Sequence, residues 1–227
     1  MHKIQRTDSK YDKSWVMIKF VYYYLALPAL FCFGLISLFI LKGEAQGRDL
    51  GRLGGDFHLF SLLIWTAIIL PLAFRFYAKK VQRQKLQKIV ALLTSNERFS
   101  PQKQHQVLDA GRGKYLGIDT KHGTMLYIHM VKKGFVDVIG LTMDDWTGSE
   151  VEGSTLRIKT KNPDVPELSI NAHPTVTSLL LNTLGAMSHN SYSEPFPKEP
   201  WPMHVGIQSR FVEFEHNVVV PQAANLA

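Results

Sequence analysis

Histidine and carboxylate side chains are the residues of this chain best able to do chemistry, and their spacing decides which chemistry is available. Nine histidines occur among 227 residues, but they form no His-x-His or HExxH pair, and one cysteine cannot make a CxxC motif. Metal ligands recur at such short spacings because neighbouring residues of one helix or hairpin must converge on one ion. The sequence therefore predicts no metal site.

Motifs for covalent catalysis and nucleotide binding are also missing from the chain. It has no GxSxG, no Walker A sequence, no GxGxxG after a predicted strand and no RNP pattern. The adjacent acids Asp144 and Asp145 point apart in a strand or turn, so they cannot face each other as an acid–base pair. We therefore predict no catalytic residues, no cofactor and no nucleic-acid partner.

Two long apolar segments near the N-terminus must position the rest of the chain. Residues 20–41 and 57–74 contain no Asp, Glu, Lys or Arg. Each can cross a hydrocarbon core of about 30 Å, because a helix rises about 1.5 Å per residue. The pattern favours a transmembrane hairpin, with a loop over residues 42–56, over two buried core helices. Cys32 lies inside the first span and is predicted to be a small apolar packing residue.

Basic residues flank the outer side of both predicted spans. Residues 1–19 carry five Lys or Arg against two Asp, and residues 42–56 carry three basic and three acidic residues. The segment after the second span is basic and has no acid; its membrane-surface cluster is Arg75, Lys79, Lys80, Arg83 and Lys85. By the positive-inside bias, both termini lie in the cytoplasm and the loop lies outside it. Most of the net charge of +7 then lies next to the bilayer, where the basic residues are attracted to anionic lipid headgroups.

The periodicity of the chain changes after the second span. Residues 75–110 are predicted to form a juxtamembrane helical linker, which includes a short second helix from Ser100 to Leu108. From Lys114 the period becomes two, and five strands joined by short turns are expected to pair antiparallel. Their predicted ranges are 114–119, 124–131, 135–141, 154–160 and 167–171.

A helix over residues 175–187 is predicted to close this β domain, which we place at residues 111–188. The apolar positions of the strands and helix predict a core of Leu116, Ile118, Leu126, Ile128, Val136, Val138, Leu156, Ile158, Leu168, Ile170 and Leu180. Residues 189–227 contain five prolines, four of them between residues 195 and 202. They are predicted to be an extended surface tail in which residues 211–220 could form a final strand.

Several segments of the β domain carry a family resemblance. They are KYLGID at Lys114–Asp119, the acidic turn at residues 144–146, LRIKT at 156–160 and PELSI at 166–170. They resemble small bacterial domains of a pleckstrin-homology-like type, in which the first strand ends in an aspartate and a C-terminal helix closes the structure. With the two-span hairpin, the whole architecture resembles the entry-exclusion (surface-exclusion) proteins of I-type conjugative plasmids.

The resemblance implies an α+β membrane protein with a transmembrane hairpin followed by an antiparallel, pleckstrin-homology-like β domain. It implies a non-enzymatic protein of the bacterial inner membrane that blocks redundant plasmid transfer by recognising a protein of the donor conjugation apparatus. The exposed turns of the β domain supply the candidate recognition surface: Lys121, His122, Asp144, Asp145, Trp146, Glu150 and Glu152. Loop 42–56 is the other candidate surface.

Two other functions stay open. One is a membrane-tethered scaffold or sensor whose β domain binds a protein, peptide or lipid headgroup, and the other is an enzyme acting at the membrane interface. A homo-oligomer is also left open. A mating assay separates these functions, because only exclusion requires that the protein block conjugation.

The charge asymmetry predicts the membrane topology. In a Cys32→Ser background, a cysteine at Gln46 should be labelled by a membrane-impermeant reagent added outside the inner membrane, and a reporter fused after Ala227 should report cytoplasm. Labelling at Gln46 only after the membrane is permeabilised would contradict this orientation.

Overall fold

The computed structural model describes residues 13–46, 55–132 and 134–224. The predictions for most of segment 1–19, for most of loop 42–56 and for the turn at residue 133 lie outside the described residues. The chain divides into two compact units, Met1–Ala78 and Lys79–Ala227. The helix Gly55–Leu93 contributes residues to both units.

The N-terminal unit contains two long apolar helical stretches. The first consists of α1 (Lys13–Val21), a π-helical turn (Tyr22–Ala26) and α2 (Leu27–Ala45); the second is the first part of α3 (Gly55–Leu93). The π-turn lies next to Pro28, which cannot donate a hydrogen bond to the carbonyl four residues earlier. By length and composition, Met17–Gly43 and Asp56–Leu93 could each cross a membrane.

The two stretches pair through polar contacts and close packing. The Tyr22 hydroxyl donates to the Ala67 carbonyl at 2.6 Å, and the Ser37 and Ser61 hydroxyls are 3.0 Å apart in a buried position. The predicted two-helix hairpin is therefore present in the structure. Most of its large apolar side chains point outward and are exposed, among them Phe20, Leu25, Phe33, Phe39, Leu62 and Phe74.

The C-terminal unit contains two antiparallel sheets. The four-stranded sheet has β1 (Gln106–Asp109), β2 (Lys114–Asp119), β3 (Thr124–Lys132) and β4 (Phe135–Thr142) in chain order. The three-stranded sheet has β5 (Trp146–Glu152), β6 (Thr155–Thr160) and β7 (Glu167–Asn171), also in chain order. Three helices follow: α4 (Pro174–Met187), α5 (Trp201–His216) and α6 (Pro221–Ala224). The class is α+β, as the sequence predicted.

The four-stranded sheet is buried on both faces. On one face, side chains such as Leu126 and Val138 pack with Leu86 and Ile89 of α3 and with Trp201 of α5. On the other face, the sheet packs against the second sheet and α4 through Leu116, Ile118, Ile158, Leu168, Leu180 and Leu184. All eleven predicted core residues are buried, and they divide between these two clusters.

The predicted helix from Ser100 to Leu108 is wrong. Lys103–His105 form a single 3₁₀ turn, and β1 pairs with β2 from Gln106 opposite Gly117 to Asp109 opposite Lys114. The edge of β2 offers unpaired backbone groups, and this tertiary partner outweighs the weak helical signal. Residues 79–110 are thus part of the C-terminal unit, and the boundary predicted near Ala110 is misplaced.

The predicted extended tail is also wrong, because residues 201–216 form helix α5 and not a strand. Its prolines are compatible with a helix, since Pro200 precedes the first residue and Pro202 lies in the first turn, where no backbone donor is needed. Asn217, at φ 47°, ends the helix in the left-handed conformation. The helix forms because the sheet face under it is apolar and would otherwise be exposed.

Substitution of Trp201 tests whether α5 belongs to the core. Its indole stacks on Phe99 at 5.2 Å between centroids and donates to the Met125 carbonyl at 2.9 Å. Trp201→Ala should lower the free energy of unfolding of the full chain in detergent by about 3–5 kcal/mol. Met203→Ala, on the exposed side of the same helix, should change it by about 0.5 kcal/mol or less. Equal, small effects would contradict the placement of α5.

Candidate recognition surface

A buried carboxylate, Asp119, holds the turn between β2 and β3. Asp119 is the last residue of β2 and is 2% exposed. Its carboxylate accepts hydrogen bonds from the backbone N–H of Lys121 at 2.9 Å and of Ser100 at 2.7 Å. Nδ1 of His122 lies 2.7 Å from the same carboxylate. One side chain therefore fixes the turn and joins it to the segment before β1.

The surroundings of Asp119 favour its ionised form. Burial would raise the pKa of the carboxyl, but hydrogen bonds from His122, Ser100 and Lys121, together with the charge of His122, outweigh it and lower the pKa below the ordinary 3.8. A carboxylate with a lowered pKa stabilises the fold above its unfolded pKa. That contribution is lost as the pH falls below about 3.8 and through the folded pKa.

A glycine and a tyrosine complete the turn. Gly123 adopts φ 69°, a left-handed conformation in which a side chain is strained. The ring of Tyr192 occupies the space that a Cβ of Gly123 would need. The Tyr192 hydroxyl donates to the Thr120 carbonyl at 3.2 Å. The turn is thus held by the segment between α4 and α5 as well as by Asp119.

A second group of polar residues lies beside this turn. Nη2 of Arg98 is 3.7 Å from the Glu199 carboxylate, and Nδ1 of His204 is 2.6 Å from it. The hydrogen bond from His204 is the main cause of a lowered pKa for Glu199. The Arg98 carbonyl also accepts from the Thr124 hydroxyl at 2.8 Å. These contacts connect the segment after α3 with β3 and the start of α5.

The acidic turn after β4 has one structural acid and one exposed acid. Asp145 accepts hydrogen bonds from the Thr142 backbone N–H at 2.9 Å and from the Thr142 hydroxyl at 2.8 Å. The bond from the Thr142 N–H, together with one from the Asp145 N–H to the Thr142 side chain, forms a capping box around the 3₁₀ turn Met143–Asp145. Of these three predicted recognition residues, Asp144 is exposed, while Asp145 is half-buried and Trp146 is half-buried against the core.

Glu150 and Glu152 lie on strand β5 and not on a turn, which corrects the prediction for residues 144–152. Glu150 pairs with Lys159 at 3.2 Å, and Glu152 pairs with Arg157 at 2.8 Å. Arg157 also contacts Glu167 at 3.1 Å. The outer face of the three-stranded sheet is therefore a ladder of exposed ion pairs, each worth little to stability.

The predicted recognition residues separate into two places. Thr124 of β3 is paired with Thr142 of β4, so the β2–β3 turn and the turn Met143–Asp145 lie at the same end of the four-stranded sheet. We call this the distal end and define it by Lys121, His122, Asp144 and Asp145. The ladder residues Glu150 and Glu152 lie on the other sheet.

The basic residues lie along α3. Arg75 belongs to the N-terminal unit, where its guanidinium is 5.0 Å from the centroid of the Tyr23 ring. Lys79, Lys80 and Arg83 are exposed and Lys85 is half-buried in the C-terminal unit. A Cβ at Gly111 would lie 3.5 Å from Cε of Lys79, which places Lys79 beside the β1–β2 turn. That turn is at the end of the sheet opposite to the distal end.

Sequence reasoning missed Arg98, Tyr192, Glu199 and His204. Arg98 and Glu199 are 101 residues apart in the chain, and no short spacing links them. Among the described residues, no group of three or more His, Cys, Asp or Glu could hold a metal ion. At the distal end, His122 is paired with Asp119 and Asp145 with Thr142, so that both turns have a fixed shape.

Comparison with known proteins identifies a family for almost the whole chain. A family model described as "Exclusion-determining protein" matches residues 2–224. Neither a curated protein nor a solved structure matches the chain. The match extends over both units and includes α5.

The contact between Gly123 and Tyr192 can be tested by a substitution that has a matched control. Gly123→Ala and Gly153→Ala introduce a side chain at similar left-handed angles, φ 69° and φ 60°, which strains both by about 1–2 kcal/mol. Only Gly123→Ala also collides with Tyr192, whereas Gly153 has open space around it. We expect a larger drop in melting temperature for Gly123→Ala, measured by thermal unfolding of the full chain. Equal drops would mean that Tyr192 does not hold the turn.

Proposed function

Because the chain belongs to the exclusion-determining protein family, we propose that it blocks redundant plasmid entry as a membrane-anchored recognition protein of the recipient cell. The family supports a role in entry exclusion. The proposed mechanism adds an anchor, a recognition surface and a partner. The partner is a protein of the donor conjugation apparatus, and the excluded plasmid is of the I type.

The anchor consists of the two apolar helical stretches of the N-terminal unit. Their outward side chains are apolar and exposed, as in helices that face lipid, while hydrogen bonds such as that between Ser37 and Ser61 lie between them. The distribution of Lys and Arg supports an inner-membrane location with both termini in the cytoplasm. The β domain would then work in the cytoplasm of the recipient.

Recognition is assigned to the distal end of the C-terminal unit. The observation that carries this assignment is its position: Lys121 and Asp144 are exposed at the end of the sheet opposite to Lys79, the first residue of this unit after the apolar segment. A surface at that end is available to a partner while the other end is tethered. The hydrogen bonds of Asp119 and Asp145 hold both turns in one shape, which lowers the entropic cost of binding.

The architecture supports a binding domain of the pleckstrin-homology-like type. The described residues of the C-terminal unit form seven antiparallel strands, four in one sheet and three in the other, and α4 follows the last strand. Asp119 ends β2, the first of the five strands predicted from the sequence, although β1 precedes it in the structure, and the acidic turn opens β5. The polar residues of such a scaffold lie on exposed turns, where they suit recognition of a protein surface better than catalysis.

A mating assay tests the proposal. Recipients that carry the double variant Lys121→Glu/Asp144→Lys should accept the plasmid more often than wild-type recipients, by about tenfold if binding weakens by about 1.4 kcal/mol. Both side chains are exposed, so the variant should fold and insert normally. Asn182→Lys, an exposed change on α4, is the matched control and should leave exclusion unchanged.

Three results would contradict parts of this proposal. If the double variant still blocks transfer fully while a shuffled 42–56 loop does not, recognition lies outside the cytoplasm. If deletion of the whole protein leaves plasmid transfer unaffected, the protein does not act in entry exclusion, and the scaffold or sensor function takes the place of that proposal. If Asn182→Lys reduces exclusion as much as the double variant, recognition is not confined to the distal end.

A further inference from the structure

Helix α5 has apolar side chains on two opposite sides. Its inner side packs Trp201, Val205 and Val212 on the four-stranded sheet. On its outer side, Phe211 is 58% exposed and Phe214 is 88% exposed. A surface helix ordinarily has one apolar stripe and one polar face. The exposed phenyl rings therefore require a second apolar environment outside this unit.

A further exposed apolar side chain, Val219, follows the end of α5. After α5 ends, the Val219 backbone donates to the Gly134 carbonyl at 2.8 Å and accepts from Val136 at 3.1 Å. The Val219 side chain remains exposed beside Phe135. This contact places the C-terminal end of α5 next to the β3–β4 turn, which is at the end of the sheet opposite to the distal end.

Cationic side chains outnumber acids near the C-terminal end of α5 and the β3–β4 turn. Lys85 and Lys88 are the chain neighbours of Leu86 and Ile89, which pack in the same buried cluster as Val212 and Val218. After the effect of burial, the charges of both lysines lower the pKa of His216 at the end of α5. Nζ of Lys132 is 4.2 Å from the centroid of the Phe135 ring, and Arg210 is exposed next to Phe211. Two acids also lie at this end of α5: Glu215 is close to His216, and the Glu213 carboxylate accepts from the Val220 N–H at 2.7 Å. We define the α5 patch as Phe211, Phe214 and Val219 with Lys85, Lys88, Lys132 and Arg210.

We propose that the α5 patch binds the surface of an anionic lipid bilayer, with Phe211 and Phe214 inserted between headgroups and the four cations on lipid phosphates. Aromatic rings surrounded by Lys and Arg suit the boundary between headgroups and acyl chains. Each cation near an anionic surface adds a favourable electrostatic attraction. Two copies of the patch would bring like charges together, so charge complementarity favours lipid over a second chain.

This inference rests on the proposed membrane anchor and extends it. The basic residues of α3 directly follow the second apolar segment in sequence, so the α5 patch adjoins the part of the unit that a bilayer tether would bring to the surface. Contact through the patch would give the C-terminal unit a second attachment. The distal end would then be held away from the lipid.

Spin labelling of the full chain tests the patch. In a Cys32→Ser background, a label at Phe214→Cys is compared with one at Lys121→Cys, in lipid nanodiscs with and without phosphatidylglycerol. Collision rates with oxygen, which concentrates in lipid, and with the neutral aqueous complex NiEDDA report the depth of each label. In anionic discs, we expect the NiEDDA collision rate at position 214 to be at least about threefold lower than at position 121, with a higher oxygen rate. Arg210→Glu/Lys132→Glu should reduce this difference.

Two outcomes would overturn the lipid assignment. Equal NiEDDA collision rates at positions 214 and 121 would mean that water covers the patch. Protection of position 214 from both NiEDDA and oxygen would mean that protein covers it. Either result leaves the proposed role in entry exclusion intact if the same cysteine variant, expressed in recipient cells, still blocks transfer in the mating assay. Membrane depth at position 214 in a chain that does not exclude plasmids would support the patch and count against the proposed function.

Discussion

The four-stranded sheet is apolar on both faces, and the rest of the C-terminal unit follows from the need to cover both. Strand β3 shows the constraint most clearly, because Met125 and Tyr127 point into one cluster while Leu126 and Ile128 point into the other. A single covering layer would leave one of these faces in water. The second sheet and α4 cover one face, and the end of α3 with α5 covers the other.

This double coverage also gives the unit two different ends. Residues 79–93 of α3 run beside the sheet from the β1–β2 turn towards Phe99, which packs under Trp201 near the distal end. The chain therefore reaches the unit at one end and leaves the other end free for exposed turns. The buried carboxylate of Asp119 makes the distal end rigid, since it binds both the turn after β2 and the segment that follows α3.

Electrostatics separates the same two ends. Positive side chains collect at the end of the unit that contains Lys79 and the β3–β4 turn, as Lys132 does beside Phe135. At the distal end, acids are paired with histidines, as in Asp119 with His122 and Glu199 with His204. The outer face of the three-stranded sheet is nearly balanced by its ion pairs. The proposed lipid surface and the proposed protein partner would thus contact different parts of one small unit.

The sequence alone determined the two apolar helices, five strands, α4 and the family resemblance, because each depends on a run or a period of two or 3.6 that is local in the chain. The recognition residues stay a prediction: the structure places Lys121, His122, Asp144 and Asp145 at one end of the sheet, with Asp145 as a cap and Trp146 as a packed side chain. Strand β1, strand β5 and helix α5 were decided by the tertiary structure. Their local patterns are weak or mixed, as in the proline-flanked start of α5. Each forms because a sheet edge or an apolar face, built from residues far away in the chain, would otherwise remain unpaired in water.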